Sequence, residues 1–389
     1  MRILCIEQFS NLGGGQLSLL DLLPALRRRG YWPLVATPGE GRLTHLVRNA
    51  GFEVDTFSAS SYANGRKSLF DVTRYAFESP KLICSIARML SENRIDLLYV
   101  NGPRLLPAAA FAARLRDLPL VFHCHNRIVQ RAGIFAMGES LRVSRARVIA
   151  CCRYAAEPIR GYVKPEHLLV LYNGVGQTSS LPSSRRTRLR HIGVIGRVEP
   201  EKGQMEFVRA ARSVLQKFPD CRFSIVGAPL FSSTKYLYQV LRASRELPID
   251  FLGWRDDIFS VLADLDLLVV PSSPVDSAPR VIVEAFAAAV PVVAFPSGGI
   301  PEIVTDEETG FLSAAITSDA LAQRICSVLE MSPVRIQAVI GRAWKRWQEE
   351  YTLDIYQNRV AEFLFHAAAT DSAPLETSTT LACAVRNRR

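Results

Sequence analysis

The sequence predicts an α/β protein of two facing Rossmann-like domains, each a doubly wound parallel sheet. Three observations predict it. Short apolar runs of strand length alternate with amphipathic stretches of helical length along most of the chain. The alternation stops once, in a polar, basic, Pro/Ser-containing segment between Gly176 and His191. Finally, 389 residues exceed what one hydrophobic core usually serves.

Strands that alternate with helices form parallel sheets with helices on both faces. In the first half the apolar runs are residues 2–6, 33–36, 53–57, 97–100, 120–123, 148–150 and 168–171. In the second half they are 191–195, 222–226, 249–251, 267–271, 291–295 and 310–312. Among the helices between them, residues 16–29 place Leu17, Leu20, Leu23 and Leu26 three apart, and 203–218 form another. The division that follows is an N-terminal domain over 1–176, a linker over 177–190 and a C-terminal domain over 191–350. Residues 334–350 and 353–368 read as helices, with Trp344, Trp347 and Tyr351 as packing aromatics. The segment 351–369 is expected to pack back on the N-terminal domain, and the aperiodic 370–389 to be a disordered tail. Ligands of open α/β sheets bind beyond the carboxyl ends of the strands, so the cleft between two such sheets is the place to seek chemistry.

Composition narrows the class. A hydrophobic fraction of 48% with 22% charged residues is that of an ordinary globular enzyme. The apolar run at Ile3 is too short for a signal-peptide core, and the longest apolar stretches are broken by Pro107, Glu284 and Pro291. A soluble or surface-bound cytoplasmic protein is expected. The eight cysteines show no CxxC pair, which fits a reducing compartment. Cys124 lies between His123 and His125, but three adjacent strand residues cannot converge on one metal ion. The net charge of +10 is confined to the first half, with 23 Lys/Arg against 13 Asp/Glu up to Gly176 and 24 against 24 thereafter. Basic clusters include Arg27, Arg28 and Arg29, then Arg142, Arg145 and Arg147. They are either solvating charges or a face toward an anionic membrane surface or phosphorylated acceptor. No nucleic-acid-binding motif accompanies them.

Four constellations could carry chemistry. The first is Asp276-Ser-Ala-Pro-Arg-Val-Ile-Val-Glu284, after the strand at 267–271. Pro279 suits a first helical turn and Ser277 or Asp276 can cap it, leaving a helix mouth able to bind phosphate. Its other reading is a capping Asp and an ordinary helix Glu. The second is Gly196-Arg197…Glu201-Lys202-Gly203, which puts two cations at a strand's carboxyl end. They would neutralise a departing diphosphate, or else Arg197 pairs with Glu199 or Glu201. The third, Gly13-Gly14-Gly15, lacks the spacing of a dinucleotide fingerprint and of a P-loop. It offers a loop without side chains for close substrate approach. The fourth is His123 and His125 at a strand tip.

In their joint order these elements resemble the large family of GT-B glycosyltransferases called family 4, or group 1, which makes bacterial polysaccharides and lipid-linked sugars. The resemblance covers nearly the whole chain. It rests on Gly196-Arg197 with Glu201-Lys202-Gly203, the acids Asp276 and Glu284 with seven residues between, and Glu284-Ala285. It continues through Pro291-Val-Val-Ala294, Gly298-Gly-Ile-Pro-Glu302, Thr309-Gly-Phe-Leu312 and Asn173-Gly174-Val175. A His six residues after a strand-initiating Pro is a further marker, and Pro119 selects His125. The chain departs from the pattern at Asp276 (usually Glu), Ala278-Pro279 (usually Phe-Gly), Ala289-Val290 (usually with Gly) and Gly176 (usually Asp).

The resemblance implies that the C-terminal domain binds a nucleotide-diphosphate sugar and the N-terminal domain a saccharide or lipid-linked acceptor. Arg197 and Lys202 would hold the diphosphate, and Glu284 the ribose. Asp276 with Gly298 and Gly299 would orient the sugar, and His125 would contact it near the reacting carbon. Gly14, Gly15, Gly196, Ala278, Arg280 and Val281 would complete the donor site. A retaining transfer with no cofactor and no metal is implied. Asp264-Leu-Asp266 imitates a metal-binding DxD but runs into a strand. The alternatives are an epimerase or an inactive binding paralogue on the same fold.

Overall fold

The computed structural model describes residues 1–59, 69–176, 189–230 and 234–369. Most of the linker (177–188) and the tail (370–389) lie outside the described residues. The N-terminal half runs β1 (Arg2–Glu7), α1 (Gly14–Arg28), β2 (Trp32–Thr37), α2 (Arg42–Asn49), β3 (Glu53–Thr56) and α3 (Leu69–Glu92). It continues through β4 (Leu97–Asn101), α4 (Leu106–Leu115), β5 (Leu120–Cys124), α5 (Arg131–Val143), β6 (Arg147–Ala150), α6 (Arg153–Ala156) and β7 (Leu168–Val170). The C-terminal half runs β8 (His191–Ile195), α7 (Gln204–Lys217), β9 (Arg222–Val226), α8 (Lys235–Ala243), β10 (Ile249–Gly253) and α9 (Ile258–Asp264). Then follow β11 (Leu267–Val270), α10 (Arg280–Ala287), β12 (Val292–Ala294), α11 (Ile300–Ile303), β13 (Phe311–Leu312), α12 (Ser318–Glu330), α13 (Pro333–Glu350) and α14 (Leu353–Ala368).

Every strand expected from an apolar run is present, with ends displaced by two residues at most. The sheets are ordered β3-β2-β1-β4-β5-β6-β7 and β10-β9-β8-β11-β12-β13, and the ladders are parallel. In each sheet the order reverses once, between β1 and β4 and between β8 and β11. Those reversals open a crevice at the carboxyl ends of the strands. Glu7 pairs in register with Asn101 at the first of them.

The buried stripe of α1 is Leu19, Leu22, Leu23 and Leu26 rather than the three-apart set, with Leu17 and Leu20 only half-buried. A strict period of three drifts around a helix of 3.6 residues per turn, so alternating steps of three and four hold one face. Against this stripe pack Tyr356, Val360, Ala361 and Leu364 of α14, after α13 has buried Ile336, Val339 and Ile340 in the other core. The crossover is pinned at the Asn173-Gly174-Val175 turn. Val175 N donates to Tyr351 O at 3.0 Å, and Leu353 N donates to Val175 O at 3.0 Å. A Cβ on Gly174 would lie 2.4 Å from Tyr356 Cβ, so only glycine lets the strands of chain pass. Trp347 and Tyr351 are buried here, as packing aromatics.

The exposed Arg27–Arg29 cluster also serves this junction. Arg28 donates to Gln357 Oε1 at 2.8 Å and Arg29 to Asn358 Oδ1 at 2.9 Å. Arg27 stacks on Phe52 at 3.8 Å. No helix among the described residues is long and apolar enough to cross a membrane.

Candidate active site

The N-terminal wall grows from the reversal between β1 and β4. Gly14 and Gly15 are not a loop, as their sequence suggests, but the first turn of α1, whose N-cap Gly13 supplies no side-chain bond. A Cβ on Gly15 would stand 2.9 Å from Cδ2 of His125, so the glycine lets the helix start lie against the imidazole. His125 follows the tip of β5. Its Nε2 meets Asn101 Oδ1 at 2.7 Å, and its carbonyl accepts from Cys151 Sγ at 3.1 Å. Asn101 donates onward to Glu7 Oε2 and, at 3.1 Å, to Gly15 O. Glu7 is wholly buried and also accepts from Gln16 Nε2 at 2.8 Å, Gln8 N at 2.7 Å and Phe9 N at 3.1 Å.

Burial sets the protonation of this wall. It pushes Glu7 up to about 7 against the pull of its hydrogen bonds, and it holds His125 down at about 4. His123 is buried under Tyr99 with its ring 3.9 Å from that of His125, and burial holds it far below the ordinary imidazole range. His123 therefore belongs to the packing and His125 to the cleft.

The C-terminal wall is made of ions. Gly196 (φ +154°) ends β8, and Arg197 behind it pairs with the buried Glu199 at 2.7 Å. Of the two readings of that loop, the local ion pair is the one present for Arg197. Lys202 points elsewhere, with Nζ 2.6 Å from Asp276 Oδ2. The shorter carboxylate of Asp276 thus still reaches the lysine. Gly203 is left-handed (φ +70°), and a Cβ there would strike Pro271 O at 1.9 Å, which is why the loop can turn under the end of β11.

Helix α10 starts at Arg280 with Pro279 as its N-cap, and no side chain caps it. Neither Asp276 nor Ser277 takes the capping role open to them in the sequence. Ser277 Oγ instead accepts from Arg127 N at 2.7 Å, across the cleft. The first backbone N–H groups of α10, at Arg280 and Val281, therefore face no side-chain cap. Within α10, Arg280 Nε bonds Glu284 Oε1 at 2.9 Å, and Arg280 Nη2 reaches Asp21 of α1 at 2.7 Å. Glu284 is thus held by its own helix. Ala278 packs against both cores.

Gly298 and Gly299 do not simply leave room for a ligand. A Cβ on Gly298 (φ +57°) would fall 2.1 Å from Asp276 O, and one on Gly299 would fall 2.0 Å from Ser277 O and 2.8 Å from Cys152 Sγ. They seat the Asp276 loop and bring it against the N-terminal domain. Glu302 completes that seat by accepting from Arg153 N (2.8 Å), Tyr154 N (2.7 Å) and Tyr172 OH (2.8 Å). Asp266, half of the DxD imitation, accepts from Arg190 N at 2.9 Å and His191 N at 2.8 Å and holds the strand start.

Comparison with known proteins decides what such a cleft belongs to. Residues 12–177 match the family described as Glycosyltransferase Family 4, and residues 190–331 match Glycosyl transferases group 1. The chain is a GT-B glycosyltransferase. It is 26% identical over 362 residues to a phosphatidyl-myo-inositol mannosyltransferase of Mycobacterium leprae, covering 88% of this chain and 91% of that one. It is 24% identical over 283 residues to the UDP-Gal:alpha-D-GlcNAc-diphosphoundecaprenol alpha-1,3-galactosyltransferase of Escherichia coli, covering 66% of this chain and 72% of the relative. Among solved structures, Anabaena HepE in complex with UDP and glucose superposes with a TM-score of 0.76 at 25% identity, covering 94% of this chain and 99% of HepE.

The glycosyltransferase thus gathers His125, Gly14 and Gly15 on one wall and Gly196, Lys202, Asp276, Arg280, Val281, Glu284, Gly298 and Gly299 on the other. Arg197 turns toward Glu199. Sequence reasoning passed over Glu7, Gln16, Asp21, Asn101 and Glu302 as site residues. The available signal was a carboxylate at the end of an otherwise apolar strand, Ile3 to Glu7, where a switch point was expected.

Proposed function

We propose that this glycosyltransferase moves a hexose-type sugar from a nucleoside diphosphate onto a saccharide or lipid-linked acceptor, with retention and without a metal ion. The observation that carries the reading is Lys202, held by Asp276, which stands four residues before the uncapped start of α10. A diphosphate laid on the α10 N–H groups meets the ammonium directly, and Asp276 then turns to sugar hydroxyls. As the bond from the anomeric carbon to the phosphate oxygen breaks, Lys202 takes up the developing charge. The acceptor oxygen forms the new bond, and its proton passes to the departing phosphate. Glu284 takes the ribose hydroxyls, and His125 meets the sugar. Relatives named for mannosyl and galactosyl transfer to lipid-linked acceptors support the hexose and the acceptor class.

The acceptor side favours a cytoplasmic membrane face. Helices α4 and α5 are neighbours and expose Phe111, Leu115, Phe135 and Val143 among Arg114, Arg116, Arg131, Arg142 and Arg145. Exposed apolar side chains on helices that also carry these arginines, of which Arg114 and Arg142 pair with Asp117 and Glu139, suit an anionic bilayer surface. Flotation with vesicles containing anionic lipid should carry the protein upward and fail with neutral lipid. Flotation with neither removes the membrane from the reading, and equal flotation with both removes the part played by the basic face.

The central test is turnover of UDP-, GDP- and ADP-sugars by purified protein in EDTA, with the anomeric configuration of the product read by NMR. Turnover with retention supports the proposal. Inversion, dependence on added metal, or wild-type turnover by Lys202→Ala overturns it.

A further inference from the structure

The buried chain Glu7–Asn101–His125 has a direction, and the direction can be read from its hydrogen bonds. Asn101 Nδ2 faces two acceptors, Glu7 Oε2 and Gly15 O, neither of which has a proton to give when Glu7 is ionised. Both amide hydrogens are thereby committed, so Oδ1 is the atom turned to His125, at 2.7 Å from Nε2. An amide oxygen only accepts, so Nε2 must carry the proton. The other ring nitrogen, Nδ1, is then a bare lone pair, and it has no hydrogen-bond partner among the described residues. His125 is half-buried, and Gly15 and the His123 ring hold the imidazole in place.

We infer that Glu7 is a positioning residue that acts through Asn101 to fix His125 as its Nε2–H tautomer, so that the cleft is offered a hydrogen-bond acceptor. This deepens the proposed function, on which its substrate half rests. The substrate atom that meets His125 must bring a proton of its own, so it is a sugar hydroxyl and not a phosphate or carboxylate oxygen. The neutral ring is consistent with the depressed value of His125 near 4, and ionised Glu7 with work above its own value near 7. All the donors around Glu7 are neutral: Gln16 from α1, Asn101 from β4 and the N–H groups of Gln8 and Phe9. In Glu7→Gln, the new amide keeps its oxygen for those N–H groups and turns its NH₂ to Asn101. Asn101 then flips at the cost of its bond to Gly15 O, which presents Nδ2 to His125 and moves the imidazole proton to Nδ1.

The experiment is ¹⁵N-histidine NMR of the whole protein at pH 8, with His125 identified by the signal lost in His125→Gln. Wild type should show protonated Nε2 and bare Nδ1, and Glu7→Gln should show the reverse or a mixture. Protonated Nδ1 in wild type, or an unchanged tautomer in a folded Glu7→Gln, overturns the relay. Thermal unfolding of the variant, recorded alongside, establishes that it is folded, and Asn101→Leu gives a second break in the same relay if it is not. Adding UDP-glucose or GDP-mannose should shift Nδ1 toward a hydrogen-bonded acceptor, while UDP or GDP alone should leave it. Protonation of Nδ1 by the nucleotide alone overturns the hydroxyl assignment. Failure of every nucleotide-sugar to bind counts against the proposed function and leaves the tautomer result standing. In turnover, Glu7→Gln should lower kcat about tenfold with KM little changed, the effect of one misdirected hydrogen bond.

Discussion

The two walls of the cleft meet the substrate with opposite electrical means. On the N-terminal wall the groups at hand are an imidazole held neutral, amides and bare helix backbone, all locked by buried hydrogen bonds from Glu7 outward. On the C-terminal wall they are ions, and each is already paired: Lys202 with Asp276, Arg280 with Glu284 and Asp21, Arg197 with Glu199. Apart from the buried carboxyl of Glu7 that anchors it, this network is neutral; it offers geometry and cannot easily change partner, because every bond dropped leaves a buried polar group unsatisfied. Glu199 and Glu284 are buried, so of these pairs Lys202–Asp276, with both partners partly exposed, is the one that can trade partners when a more highly charged one arrives. In the proposed transfer the difference suits a division of labour: a rigid wall to orient the sugar and, at Lys202–Asp276, an ion pair that can turn to a diphosphate.

The comparison breaks most easily at Lys202. Lys202→Ala should lower kcat by about 10²–10³, the usual loss when one preorganised donor to a developing anion is removed. Binding of the nucleoside diphosphate, followed by calorimetry, should survive because the α10 N–H groups remain. Unchanged kcat would mean that the charged wall serves structure only.

Glu284→Ala tests the same wall one helical turn deeper. Losing a charged acceptor of paired hydroxyls costs about 1.5–3 kcal/mol, or roughly 10- to 150-fold in donor affinity. Asp21→Asn is the control, because it touches Arg280 from the other domain but leaves Glu284 in place. An equal loss in both variants would assign Glu284 to the clamp between domains and remove it from the ribose.

Gly299→Ala sharpens the boundary between the walls. The added Cβ meets the Ser277 carbonyl at 2.0 Å, and backbone must move to admit it. A destabilisation of about 1–3 kcal/mol is expected, read from the denaturation midpoint. Stability equal to wild type would show the Asp276 loop to be free of its seat.

The two walls also differ in how far they are legible in the sequence. The charged wall was legible because its residues fall within two contiguous stretches, Gly196 to Gly203 and Asp276 to Glu284, in which spacing encodes proximity. What spacing could not tell was partner choice: Lys202 to Asp276 spans two strands of the sheet order, and Arg280 to Asp21 spans the two domains. The neutral wall draws on Glu7, Gly15, Asn101 and His125, four separate segments joined only when β1 and β4 become neighbours. Strand positions were legible from apolar runs, but their order in the sheet is a tertiary fact, and so was the relay. The leucine stripe of α1 failed for a smaller reason, a period of three used where 3.6 applies.

The smallest expected effect concerns pH, and it isolates the neutral wall. Glu7 has its folded value raised from 4.5 to about 7, so on raising pH the unfolded chain releases this proton first, and stability falls with rising pH across that window. His125 is the reverse. Its folded value is lowered from 6.5 to about 4, so on lowering pH the unfolded chain takes up this proton first, and stability falls with falling pH. His123 acts in the same sense as His125. Between pH 6.5 and 4.5 the carboxyl thus offsets part of what the histidines lose. Glu7→Gln removes the offset, and its stability should fall more steeply on acidification than that of wild type. One proton per molecule corresponds to about 1.4 kcal/mol per pH unit, so the extra loss over this range is on the order of 1–3 kcal/mol. Urea midpoints at the two pH values measure it as a difference of differences, in which any constant cost of the substitution cancels. Parallel profiles for the two proteins would mean that Glu7 is ionised throughout, and the neutral wall would then hold a permanent buried charge.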